Sequence, residues 1–335
     1  MRVLVATALT DAQFARVQAA DANVDITDSA VPLIRRIPEA LRPGQVLTPD
    51  RSNGAALEEL LAPAEVIMAS RRMPLDTAKL APNLKWVQLP LAGIEWFRTT
   101  DLWTTPRVTL TNTDIAQPVS EWVLLAMLAL GKDARRMLTR QQEHRWERWN
   151  LPQLRGKRLG VIGYGGIGTE VARLGQALGM QVMATKRHMR AEERLPDWVL
   201  PMGRMEQVLR ESDYIVLAVP ATPETAGLIG ARELALMKAT AYLINVARGD
   251  VIDTAALVSA LKGKRLAGAG LDVFEGEPLE ASSPLWDLPN VFLSSHVAGL
   301  VPNYDDLVTD LFVQNLKRYV AGEPLHRVVN KTLGY

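Results

Sequence analysis

The chain has 335 residues, 48% hydrophobic and 22% charged, with 38 Lys and Arg against 37 Asp and Glu for a formal charge of +1. That balance gives no bulk attraction to nucleic acid or an anionic membrane. The absence of cysteine excludes disulfides, thiolate nucleophiles and cysteine metal sites, and fits a reducing, cytoplasmic setting.

The length exceeds what one hydrophobic core usually supports, so two domains are expected. The opening MRVLVATAL reads as a first strand, not a signal peptide. From there to about residue 113, strand-like segments at 2–7, 24–27, 65–69, 84–89 and 108–112 alternate with helical patterns at 11–20, 55–61 and 76–80. Such alternation predicts a parallel sheet with helices on both faces. Residues 31–54 are rich in Pro and Arg, and their Arg35, Arg36 and Arg42 read as a solvated face. Arg71 and Arg72 follow the third strand and either extend into solvent, the favoured reading, or face a cleft.

Residues 120–136, led in by Pro118, show a long helical pattern that either bridges the domains or packs in a dimer interface. Its apolar run at 122–130 falls well short of the ~20 residues of a membrane helix. Trp146 and Trp149 then lie among arginines, as a subunit contact or as cover for the adjacent core.

A second alternating series starts near Gly156. Strands are expected at 158–162, 181–185, 214–219, 242–246, 266–272 and 291–294, with helices near 205–211, 231–238 and 254–261. Six strands make a full doubly wound sheet. Its first unit is RLGVIGYGGIGTEVARLGQALGMQVMATK, in which a strand runs into Gly163, Gly165, Gly166, Ile167 and Gly168 and then a helix. Gly163 permits a tight turn, Gly165 lets the backbone approach a pyrophosphate, and Gly168 brings helix close to sheet. The helix N-terminus then faces the phosphates. A dinucleotide is favoured over a plain structural turn and over another nucleotide-like ligand, such as the sulfonium cofactor of a methyltransferase. No G-K-[ST] ending supports a P-loop, and no histidine or carboxylate cluster has metal-ligand spacing.

Ligands of such sheets sit outside the carboxyl ends of the strands, so Pro220, Arg248, Asp272 and His296 are expected along one edge. Of four histidines, His296 alone follows a buried strand at that edge. It is a satisfied structural histidine or the proton donor that carbonyl reduction requires. Glu277 is either a solvated loop carboxylate or the carboxylate partner of that histidine. Arg248 is either an exposed turn residue before Gly249 or the planar guanidinium suited to grip a substrate carboxylate through two bonds.

The segments GYGGIG, LAVPATPETAGLIG, INVARGDVID, LDVFEGEPL and SPLWDLPNVFLSSHVAG occur in that order. In them the chain resembles the D-isomer-specific 2-hydroxyacid dehydrogenases, over nearly its whole length. The resemblance implies a Rossmann cofactor domain (114–299) inserted into a flavodoxin-like substrate domain (1–113 with 300–335), with the final helix, 305–319, returning to the latter. It implies catalytic roles for Arg248, Glu277 and His296, and a homodimer built around the long helix. Substrate carboxylate donors are implied in the loop containing Leu91, Ala92 and Gly93, beside Arg248 and His296. The implied cofactor site runs from the glycine turn through Lys186, Arg187, Val219, Pro220, Thr225, Val246, Ala247, Arg248, Asp272, His296, Ala298 and Gly299. Ser295 departs from the proline common before the family's histidine, which leaves the backbone at His296 less restrained.

The residue that reads the adenosine ribose lies roughly 20 residues past the fingerprint and is acidic for NAD. Here that place holds Lys186 and Arg187, which either point into water or, in the favoured reading, attract a 2′-phosphate, so NADP(H) is the expected cofactor with NAD(H) second. The expected activity is reduction of a small 2-oxoacid of the glyoxylate or hydroxypyruvate type to an (R)-2-hydroxyacid, with domain closure excluding water. A nucleotide-sensing corepressor on the same fold is the alternative.

Overall fold

Short apolar runs separated by helix-length segments form two sheets in which all strand pairs are parallel. The computed structural model describes residues 1–28, 54–70, 73–189, 196 and 198–335. Arg35, Arg36, Arg42, Arg71 and Arg72 lie outside the described residues. The chain divides into two compact units, Met1–Asp114 with Val301–Tyr335, and Ile115–Leu300.

In the first unit, β1 (Arg2–Val5), β2 (Asp25–Asp28), β3 (Val66–Met68), β4 (Trp86–Gln88) and β5 (Thr109–Thr111) stand in the order β2-β1-β3-β4-β5. That is the flavodoxin-type arrangement. The C-terminal helix Tyr304–Val320 packs on this sheet. Its Phe312 and Tyr319 stack on the fully buried Trp86 at ring-centroid distances of 5.2 and 5.5 Å. Each such aromatic pair contributes about 0.5–1.5 kcal/mol beyond its buried area. The indole N–H of Trp86 is satisfied by Thr111 Oγ1 at 2.8 Å, so the large ring is buried without an orphaned donor.

The second unit carries β6 (Arg158–Ile162), β7 (Gln181–Lys186), β8 (Val199–Pro201), β9 (Tyr214–Leu217), β10 (Tyr242–Asn245), β11 (Gly268–Leu271) and β12 (Val291–Leu293). Their order is β12-β11-β10-β9-β6-β7-β8. This is the doubly wound order with its switch point between β6 and β9, where ligands bind. Seven strands stand where six were expected. The extra one, β8, is a three-residue edge strand ending in proline, which lacks the N–H an inner ladder would need.

The expected helix over 120–136 is two helices, Ala116–Gly131 and Ala134–Gln142. Asp133 separates them in a left-handed conformation (φ +54°), and its carboxylate accepts the Arg136 N–H. Pro118 sits inside the first turn, where its missing N–H costs nothing. Val119, Trp122, Val123, Ala126 and Met127 of the first helix are buried in the core of their own unit, against the Gly166–Ala177 helix and strands β10 to β12. Most of its apolar face is therefore consumed within the unit, leaving Leu125 half exposed. Trp149 stacks under the Arg136 guanidinium at 4.4 Å, whereas Trp146 is 92% exposed.

Candidate active site

Because neighbouring strands are parallel, their carboxyl ends share one edge, and side chains far apart in the chain meet there. His296 follows β12, Asp272 follows β11, Arg248 follows β10, Pro220 follows β9, Gly163 follows β6, and Lys186 ends β7. These strands are consecutive neighbours in the sheet.

At Gly163 (φ +105°) a Cβ would lie 2.6 Å from the Ala218 carbonyl oxygen, so only glycine allows the turn to pass this close to β9. A Cβ on Gly168 would lie 2.0 Å from the Gly163 oxygen, which is how the helix comes close to β6. On Gly165 it would meet nothing within 4 Å. The first N–H groups of the helix, on Gly166, Ile167 and Gly168, precede its first internal bond, from Thr169 N–H to the Gly165 oxygen at 2.8 Å. Open space before unpaired helical N–H groups suits a pyrophosphate, so the residues present fit a dinucleotide. Val219, Val246, Ala247 and Ala298 are largely buried along the same edge, with Ile167 and Gly299 half-buried. The Thr225 hydroxyl is spent inside its loop, donating to the Pro220 oxygen at 2.7 Å and accepting the Thr222 N–H at 2.9 Å.

His296 Nδ1 lies 2.7 Å from Glu277 Oε2. The other oxygen of Glu277 accepts the Phe274 N–H at 3.1 Å, so the carboxylate is anchored to its own loop while it grips the imidazole. This pairing leaves His296 Nε2 as the nitrogen available to a substrate. The hydrogen bond to Glu277 raises the His296 pKa above the usual imidazole value, against burial and the nearby Arg248 charge. Burial works to raise the Glu277 pKa, yet hydrogen bonds from His296 and the Phe274 N–H, with the charges of His296 and Arg248, hold it below the usual carboxylate value.

With His296 as the proton donor expected from the sequence, carbonyl reduction should slow as pH rises through the His296 pKa. Replacing Glu277 with glutamine removes the group that raises that pKa. The descending limb of kcat/KM for reduction should therefore shift to lower pH, and an unshifted pH–rate profile would remove Glu277 from this role.

Asp272 is 2% exposed, and its carboxylate accepts the Ser294 hydroxyl at 2.5 Å and the N–H groups of Val297 and Ala298 at 2.9 and 3.1 Å. Its carbonyl oxygen accepts the His296 N–H at 2.8 Å. Four bonds thus converge from the 294–298 loop on the residue that follows the neighbouring strand. They hold His296 in a left-handed conformation (φ +56°) that a non-glycine residue rarely adopts. The restraint expected to be missing without a proline at Ser295 comes from Asp272 instead.

Arg248 is half-buried, and its Nη1 donates to the Ala247 oxygen at 2.6 Å. Asn245 clasps the turn, donating to the Arg248 oxygen at 2.9 Å and accepting the Ala247 N–H at 3.0 Å. Gly249 closes it against the next loop, since a Cβ there would lie 1.8 Å from the Phe274 carbonyl carbon. The arginine turn and the Glu277 loop therefore share a backbone contact. Asn245, Gly249 and Ser294 carry this positioning and were not singled out in the sequence, because their partners sit on other strands.

In the first unit, the carbonyls of Pro90, Leu91 and Ala92 are taken by Tyr304 Oη (2.8 Å), the Thr113 N–H (3.1 Å) and Asn112 Nδ2 (3.0 Å). The N–H groups of Leu91, Ala92 and Gly93 have no acceptor among the described residues. That loop is an anion-ready row of donors. Among the described residues no group of three or more His, Cys, Asp or Glu is placed to hold a metal ion, and no helix is long and apolar enough to cross a membrane.

Parallel strands in doubly wound order, a glycine turn at the switch point, and a histidine–carboxylate pair beside an arginine define a dinucleotide-dependent oxidoreductase. Residues 124–298 match the family of the D-isomer specific 2-hydroxyacid dehydrogenase, NAD binding domain. The glyoxylate reductase of Pyrococcus furiosus is 34% identical over 281 residues, 80% of this chain and 82% of that one. Among solved structures, a D-isomer specific 2-hydroxyacid dehydrogenase from Xanthobacter autotrophicus, in complex with NADPH and MES, superimposes with a TM-score of 0.78 at 28% identity. That match covers 100% of this chain and 99% of the other. The NADPH-dependent glyoxylate/hydroxypyruvate reductase of Sinorhizobium meliloti, in complex with NADP and sulfate, gives 0.76 at 25% identity, again over 100% and 99%. The chain belongs to the D-isomer specific 2-hydroxyacid dehydrogenase family. It is an oxidoreductase that acts on 2-oxoacids and their 2-hydroxyacids.

Proposed function

We propose that the protein reduces small 2-oxoacids of the glyoxylate and hydroxypyruvate type to (R)-2-hydroxyacids with NADPH. The observation that carries this reading is the 2.7 Å pairing of His296 with Glu277 at the strand edge that also bears Arg248. The glycine turn and the end of β7 would hold a nicotinamide cofactor, which would supply the hydride. Arg248 binds the substrate carboxylate through its planar fork, which fixes the adjacent carbonyl. The N–H groups of Leu91, Ala92 and Gly93 are further donors to that carboxylate in this reading. His296 gives the proton from Nε2 to the carbonyl oxygen as negative charge develops there, and Glu277 stabilises the imidazolium until it does so. The exposed Trp146 and Leu138 support the homodimer implied by the resemblance.

The NADP(H) preference rests on Lys186 and Arg187 at the end of β7, where an NAD enzyme of this fold carries an acid. Assays of glyoxylate and hydroxypyruvate with each cofactor test the whole reading. NADPH should give the higher kcat/KM, and Lys186→Asp should lower the NADPH-to-NADH ratio by roughly tenfold or more, the scale of replacing an attraction with a repulsion. An unchanged ratio would sink the cofactor assignment, and absence of turnover with either cofactor would return the corepressor reading.

A further inference from the structure

The missing ribose-reading acid has a counterpart elsewhere. Arg187 is exposed, directly after β7, and its two terminal nitrogens face the two carboxylate oxygens of Glu224 at 3.2 and 3.4 Å. Glu224 lies in the loop after β9, and β7 and β9 flank β6 on either side. That loop therefore reaches across the carboxyl end of the glycine-turn strand to the place where the cofactor's ribose is recognised. The Arg187 hydrogen bond, followed by those from Thr222 and its own backbone N–H, lowers the carboxylate's pKa, and the group is charged in the physiological range. The side chains remain 40% and 61% exposed. An exposed pair of this kind is weak, whereas a phosphate offers the guanidinium the same two-pronged geometry with more charge.

We propose that Glu224 is a cofactor-specificity residue that competes with the 2′-phosphate for Arg187. With an unphosphorylated ribose, Glu224 occupies and neutralises the guanidinium, so NAD(H) meets no uncompensated charge at Arg187. With a 2′-phosphate, Arg187 exchanges one anion for the other, and Glu224 sets a limit on the selectivity that Lys186 and Arg187 would otherwise reach. This inference rests on the NADP(H) reading above and adds a residue that opposes it.

The test is equilibrium binding of 2′,5′-ADP and 5′-ADP, measured by isothermal titration calorimetry on wild-type protein, Glu224→Gln, Arg187→Ala and the double variant. Glu224→Gln should tighten 2′,5′-ADP by about two- to fivefold, the span of one exposed ion pair, and leave 5′-ADP unchanged. The gain should shrink on the Arg187→Ala background and with added salt. Unchanged or weakened 2′,5′-ADP binding in Glu224→Gln would overturn the proposal, the weakened case making Glu224 an anchor that pre-positions Arg187. Equal affinity of wild-type protein for the two nucleotides would count against the NADP(H) reading alone, because the response of Glu224→Gln still decides this one.

Discussion

Replacing His296 with alanine is expected to lower kcat for 2-oxoacid reduction by about 10²- to 10⁴-fold, the range a positioned general acid supplies. The imidazole is aligned by Glu277 at 2.7 Å, and its backbone is tied to Asp272. Alanine removes the proposed proton donor without disturbing the glycine turn or the end of β7, so NADPH binding measured by fluorescence titration should survive. Because alanine also relieves Asp272 of no bond, the 294–298 loop should keep its place. Turnover within a few-fold of wild type would show that another group delivers the proton. Loss of NADPH binding together with turnover would instead make His296 a structural part of the cofactor site.

Arg248 should show the second large effect. Truncating one side of a hydrogen-bonded charge pair costs about 2–5 kcal/mol, or roughly 30- to 5,000-fold in kcat/KM. Arg248→Ala should therefore fall in that range for glyoxylate. Arg248→Lys keeps the charge but not the fork, so it should recover only part of the loss. The Arg248 side chain donates to the Ala247 oxygen, so thermal melting of each variant separates a substrate defect from a loosened turn. Full activity in Arg248→Lys would mean that charge alone suffices, and full activity in Arg248→Ala would place the carboxylate site elsewhere.

Legibility in the sequence followed the range of the interactions. The glycine turn was readable because its parts, strand, turn and helix, are contiguous over Arg158–Ile162 and Gly166–Ala177. Strand β8 was not, since three residues against an edge make no periodic pattern. The break at Lys132 and Asp133 was hidden by helix-compatible residues on both sides, and it depends on a left-handed aspartate that caps the second helix. Ser295 suggested a looser histidine because the restraint that replaces proline comes from Asp272, just past another strand.

The basic pair at Lys186 and Arg187 was visible as a site that attracts phosphate. That Arg187 faces Glu224, 37 residues away, was not visible. By itself, the sequence determined the alternation that makes both sheets parallel and the glycine turn, and it singled out the arginine, glutamate and histidine proposed for carbonyl reduction. Periodicity and residue chemistry are local properties, and they survive without coordinates. Only the tertiary structure decided that Asp272 braces the His296 loop, that Gly249 seats the arginine turn on the Glu277 loop, and that Glu224 answers Arg187. Each of these contacts joins loops from different strands. Whether such loops meet is set by strand order in the folded sheet, which no single segment of the chain encodes.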